Sequence, residues 1–152
     1  MNIATVLASK GLEVVTIRPA QSIRQALRLL ADHNIGALVV VDGGDLPIGI
    51  VSERDIVRAL ARSDVVLAET VASIMTREVI IGTPQDDLVA VGNTMTERRI
   101  RHLPVVEADR LVGIVSIGDV VKAQRNQYRG EVDTLQFQLL HDDGEAPVRK
   151  AS

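Results

Sequence analysis

The chain has 152 residues, no cysteine, a formal net charge of −3, 46% apolar residues and 1% aromatic residues. The lack of cysteine excludes thiol catalysis, disulfides and thiolate zinc sites, and the acidic balance gives no electrostatic reason for nucleic acid or an anionic membrane as partner. No stretch reaches the roughly 18 apolar residues of a membrane span, and Lys10 breaks the apolar run after Asn2 too early for a leader, so a cytoplasmic protein is expected.

In chain order, a short strand is predicted from Val14 to Ile17, running into Pro19. A helix follows, with Ser22 and Gln25 spaced as a capping box and Ile23, Ala26, Leu27, Leu30 and Ala31 on one face. Two strands, Gly36 to Val41 and Ile48 to Val51, are expected to pair across the turn Asp42-Gly43-Gly44-Asp45. A second helix starts at Ser52. The connection from Ala61 to Arg77 has no Gly or Pro, and Thr70 to Thr76 is apolar enough to dock. The same order then recurs: a strand from Val79 to Ile81, a helix with Leu88, Val91 and Met95 on one face, strands His102 to Val106 and Leu111 to Val115, and a helix from Ser116. These near-continuous apolar runs predict strands covered on both faces. Beyond Ala123 the chain turns polar. Val132, Leu135, Leu139 and Leu140 form a stripe suited to packing or dimer contact, and Asp142 to Ser152 reads as a disordered end.

The recurrence is an internal repeat. Gly49-Ile50-Val51-Ser52 returns as Gly113-Ile114-Val115-Ser116, 64 positions on (113 less 49), and each copy has an aspartate three residues after its serine, Asp55 and Asp119. Upstream the offset is 65 (84 less 19), matching Pro19 with Pro84, Ile35 with Ile100 and Leu38 with Leu103. The one-residue difference falls between Val41 and Gly49, in the turn, where a length change is tolerated. Each half is therefore a β-α-β-β-α unit too small to bury its sheet alone. The fold expected is mixed α/β (α+β), two pseudo-symmetric units packed sheet against sheet. Residues 1–62 hold the first unit with the N-terminal segment, 63–125 the second with its linker, and 126–152 a C-terminal helix and tail.

Ser-x-x-Asp at a helix start has two compatible meanings. It satisfies free amides as a capping box and offsets the helix dipole. It also sets a carboxylate able to accept two ribose hydroxyls beside amides able to bind phosphate. Tyr128 and Phe137 are the only aromatic residues, and both lie after the second repeat. A purine held in the repeats would have to lie between aliphatic side chains and be read by backbone groups. His33, His102 and His141 are scattered, so no metal site is expected. No nucleophile–base pair or P-loop occurs, so no catalytic residue is assigned.

Two such units, each ending in Gly-Ile-Val-Ser-x-x-Asp, with Ile74-Met75-Thr76 between them and Arg101-His102-Leu103-Pro104-Val105 in the second, resemble a tandem pair of CBS domains, or Bateman module, of the small stand-alone bacterial type. The resemblance covers about Ile3 to Arg125. It implies a cleft with two pseudo-symmetric sites for adenine ligands (AMP, ADP, ATP or NAD(H)), a disc-like homodimer, and regulation of an unidentified partner protein. Carried over residue by residue, Asp119, Ser116 and Ile114 would hold ribose and phosphate in one site, with adenine against Ile35, Gly36 and Ala37. Asp55, Ser52 and Ile50 would serve the other, facing Ile100, Arg101 and His102. Val14, Thr16, Thr76 and Val79 would close the pockets, and Arg54, Arg101, His102 and Lys10 are candidates to meet phosphate. Because Gly36-Ala37 becomes Arg101-His102 between the copies, the two pockets are expected to be unequal. A ligand-free interaction subunit and a nucleotide-acting enzyme are the other classes weighed.

Overall fold

The computed structural model describes the backbone of residues 1–150 and the side chains of residues 1–141. The expected disordered end, Asp142 to Ser152, lies outside the described side chains, although helix assignment continues to Lys150. The elements are α1 (Ile3–Lys10), β1 (Thr16–Ile17), α2 (Ile23–His33), β2 (Ala37–Val40), β3 (Gly49–Ser52), α3 (Glu53–Arg62), two 3-10 turns (Val66–Ala68 and Val71–Ser73), α4 (Leu88–Arg98), β4 (His102–Glu107), β5 (Arg110–Ser116) and α5 (Ile117–Lys150). The result is a mixed α/β fold with two small sheets, β1-β2-β3 and β4-β5.

Local chemistry sets the boundaries. Ser22 and Gln25 close the predicted capping box on α2, and Asn34 ends the helix in the left-handed region. Only Ile23, Ala26 and Leu30 of its expected face are buried; Leu27 and Ala31 are exposed, because the helix covers one small sheet and needs only a narrow stripe. The opening strands are shorter than expected. β1 is two residues, and its second-unit counterpart shrinks to a single bridge between Gly82 and Val105. Each is a lone run on one neighbour that the following Pro-containing turn cuts short.

The side-chain period of two sorts the central strands. Leu38 and Val40 point into the first core, with Ile17, Ile23, Val51 and Ile56; Leu103 and Val105 point into the second, with Leu88, Val91, Met95 and Val120. The alternate residues, Ala37, Val39 and Val106, are buried too but belong to neither core. The hairpin tips meet: Leu111 N–H donates to the Asp45 carbonyl at 3.0 Å. The second hairpin turns tightly through Ala108 and Asp109, both at positive φ, which places the one-residue deletion where the sequence put it.

The segments preceding the two repeats exchange partners. α1, grouped with the first unit by its place in the chain, buries Ile3, Val6 and Leu7 in the second core. The linker buries Val66, Val71 and Met75 in the first core. Both are stitched by backbone bonds to the helix start they cover: Leu88 N–H to the Met1 carbonyl at 3.0 Å, and Val71 N–H to the Gln21 carbonyl at 2.8 Å. Close approach needs glycine on the facing strand. A Cβ on Gly113 would lie 2.7 Å from Leu7 Cδ2, and one on Gly49 would lie 2.5 Å from Met75 Sδ.

α5 leaves the body. Of the predicted apolar stripe, Leu135, Leu139 and Leu140 are exposed and Val132 is partly buried. No helix among the described residues is long and apolar enough to cross a membrane.

Candidate functional site

Both Ser-x-x-Asp motifs form complete capping boxes. Ser52 Oγ accepts from the Asp55 N–H at 3.2 Å, and Ser52 N–H donates to Asp55 Oδ2 at 2.8 Å. Ser116 and Asp119 repeat this at 3.0 and 2.8 Å. The structural role of the motif is therefore real in both copies, and it fixes each carboxylate at a helix start.

Beside Asp55 the two units leave a cleft of about 800 Å³. From the first unit it is lined by Ile50, Ser52, Arg54 and Asp55, with Gly36 at its edge; from the second by Ile100, Arg101 and His102; and from the linker side by Thr76 and Val79. Asp55, Ser52 and Ile50 thus meet Ile100, Arg101 and His102 as the expected pairing has them, whereas Gly36, expected at the Asp119 site, lines this cleft instead. Ser116 reaches the same cleft, with Ile117 and Gly118. Thr76 is held there by a two-way backbone bridge to Ile50, at 3.0 and 2.9 Å, so it walls one side.

Sequence reasoning missed several lining residues. Arg58 follows Arg54 by one helical turn, a spacing that places both on one face of α3 and that was visible in the sequence. Arg99 caps α4 in the left-handed region and lines the cleft. Glu53, Glu78, Ile80 and Pro104 complete the wall. Four arginines (54, 58, 99 and 101) thus face three carboxylates (Glu53, Asp55 and Glu78), so the cleft is the reverse of the chain's acidic balance.

His102 stands between the two half-sites. Burial, reinforced by Lys10 and Arg101, holds its imidazole below the ordinary value against the opposing pull of Glu53 and Asp119. Its Nε2 would lie 3.3 Å from a Cβ on Gly36. The close approach that Gly36 was expected to offer an adenine is thus taken by the histidine ring.

The Asp119 side differs from its counterpart. Ile35 packs on the first core and Ala37 is buried, so neither lines the cleft. Val14 and Thr16 lie outside it as well, Thr16 being paired with Val39 in the sheet. Lys10 does not stand free for a phosphate. Its Nζ donates to Asp119 Oδ2 at 2.6 Å and to the Ile114 carbonyl at 2.8 Å. Partial burial would raise the Asp119 carboxyl, but the Lys10 ammonium and the Ser116 N–H outweigh it and hold the group below the ordinary carboxylate value. Among the described residues there are no grouped histidines and carboxylates that would hold a metal ion.

The CBS domain family model matches residues 7–62 and 71–126, one match on each repeat. The chain belongs to the CBS-domain family. It is 38% identical over 121 residues to a mitochondrial CBS domain-containing protein of Arabidopsis thaliana, an alignment covering 75% of this chain and 58% of that relative's length. Among solved structures, a CBS-domain-containing protein from Agrobacterium tumefaciens superposes with TM-score 0.79 at 41% identity, covering 82% of this chain and 99% of its own. A CBS-domain pair solved with 5-methylthioadenosine and S-adenosyl-L-methionine superposes with TM-score 0.75 at 30% identity, over 84% of this chain and 98% of its own.

Proposed function

We propose that this CBS-domain pair is a non-catalytic sensor that binds an adenine nucleotide (AMP, ADP, ATP or NAD(H)) in the cleft beside Asp55 and reports its occupancy to a partner protein. The observation that carries this reading is the meeting, in one cleft of about 800 Å³, of a carboxylate at a helix start with four arginines, two on its own helix and two from the other unit. The Asp55 carboxylate accepts the ribose hydroxyls, and Arg54, Arg58, Arg99 and Arg101 attract the phosphates. Ile50, Val79 and Ile100 supply the aliphatic surface for the base, in a chain whose repeats have no aromatic ring to stack on. The solved relative that holds two adenosine compounds supports the ligand class.

Signalling follows from differential affinity. A ligand whose phosphates draw the arginines of both units together favours one relative arrangement of the units, and the population shifts by that preference. A disc-like homodimer is the natural relay. Val57 and Val121, equivalent positions in the two repeats, stand 64% and 56% exposed on α3 and α5 and offer matching apolar faces. The competing reading, a ligand-free interaction subunit, draws on the capping boxes, which employ Ser52, Asp55, Ser116 and Asp119 without any ligand.

Thermal unfolding with each nucleotide tests the choice. A ligand at 100 times its Kd raises the unfolding free energy by about 2.7 kcal/mol. Stabilisation by at least one of AMP, ADP, ATP or NADH, lost in Asp55→Ala, is expected. If none stabilises at millimolar excess, the sensor reading fails; steady hydrolysis of ATP by the pure protein would move it among the enzymes.

A further inference from the structure

We infer that Lys10 is a built-in occupant of the Asp119 half-site, leaving one open nucleotide site per chain and one latched site that a ligand enters only by displacing the lysine. The inference rests on the proposed function for the identity of the ligand, but the latch is a property of the chain itself.

The Lys10 ammonium bridges two acceptors, Asp119 Oδ2 at 2.6 Å and the Ile114 carbonyl at 2.8 Å. A nucleoside would need the same kinds of acceptor, a carboxylate for ribose hydroxyls and a backbone carbonyl for a ring amino group. Lys10 therefore competes for both at once. It is held in place from a distance: it is the last residue of α1, whose Ile3, Val6 and Leu7 are buried in the second core, and Gly11 ends the helix at φ 101°.

The repeat offers its own control. In the docked segments the offset is 68 (72 less 4): Ala4 N–H bonds the Pro84 carbonyl as Ala72 N–H bonds that of Pro19, and Leu7 packs on Gly113 as Met75 packs on Gly49. Lys10 therefore corresponds to Glu78 (78 less 10), which lines the open cleft and brings no positive charge to Asp55. Asp55 has no cationic partner within ion-pair distance among the described residues. The same docking architecture thus ends in a latch on one side and, on the other, in a carboxylate, Glu78, that lines an open cleft. The latch remains openable: the Lys10 and Asp119 side chains are 33% and 25% exposed, so the ammonium can return to water without α1 unfolding.

Titration calorimetry with ADP tests the stoichiometry. Wild type is expected to bind one ADP per chain, Lys10→Met two, and Lys10→Arg, which keeps the cation, one. Asp55→Ala combined with Lys10→Met should retain one site, locating it at Asp119. Two equal sites in wild type, or a single site in Lys10→Met, overturns the inference. Lys10→Gln replaces Lys10→Met if methionine disturbs cooperative unfolding. Carboxyl carbon NMR without nucleotide separates the two readings. The Asp119 carboxyl should titrate below the ordinary range in wild type and rise in Lys10→Met. If it does not move, the latch is wrong even where ADP binds; if it moves while neither protein binds ADP, the nucleotide reading fails and the latch stands.

Discussion

The half-sites at Asp55 and Asp119 share a serine, an aspartate, a capping box and a docked segment, yet one borders an open cleft and the other is bridged by a lysine. The difference does not come from the motif. It comes from the segment that docks beside it, α1 in one case and the linker in the other. A duplicated motif conserves the backbone frame while the residue at the end of the docked segment decides access. Lys10 against Glu78 is that residue.

The largest expected effect attacks the docking. Leu7→Ala removes a buried side chain from the second core and should cost about 2–5 kcal/mol of stability. Chemical denaturation measures it, and because Lys10 rides on the same helix, the Asp119 half-site should loosen while ADP binding at Asp55 persists. Next comes the carboxylate itself. Asp55→Ala should weaken ADP by about 1.5–3 kcal/mol, the range for a hydrogen bond to a charged group, or roughly 10- to 150-fold in Kd. Asp119→Ala should leave ADP affinity nearly unchanged and lower the melting temperature instead, because it breaks both a cap and the Lys10 bridge. Equal losses of affinity in the two variants would erase the distinction between the half-sites.

A smaller effect sharpens the charge difference. Arg101→Ala should reduce ATP affinity more than adenosine affinity, by about 1 kcal/mol, or roughly fivefold. The smallest is a pH dependence. His102 is held below its ordinary value in the fold, so the unfolded chain binds its proton first as pH falls. Its contribution to stability is therefore complete above about 6.5, the unperturbed imidazole value, and is lost as pH falls from there through the folded value. Asp119, also held low, acts in a separate and more acidic window: its contribution is present above the unperturbed carboxylate value and lost as pH falls through the folded one. A melting curve against pH should lose its shallow slope between neutral and mildly acid pH in His102→Gln and keep the steeper acid limb.

Much of this was legible before any coordinates. Repetition at offsets of 65 and 64 placed the paired strands, the four main helix starts and the turn that loses a residue. Hydrophobic period and capping pairs are local signals, and Ser52, Asp55, Ile50, Ile100, Arg101 and His102 meet in one cleft because equivalent elements pack about a common pseudo-axis. Other features were not legible. Lys10 read as a free cation because ion pairing across 109 positions leaves no local trace. Arg99 was missed because its place in the cleft depends on a left-handed cap. The exchange of α1 and the linker between cores was hidden as well, since burial in the nearer or the farther unit produces the same apolar stripe.

The sequence by itself determined that this protein is one unit built twice, where its strands and helices begin, and that two aspartates occupy equivalent corners, because periodicity and capping depend on neighbours a few residues away. Only the tertiary structure decided which corner stays open. That choice rests on contacts between residues more than a hundred positions apart, where a single ammonium group outcompetes water for a carboxylate whose twin, Asp55, has no cationic partner among the described residues.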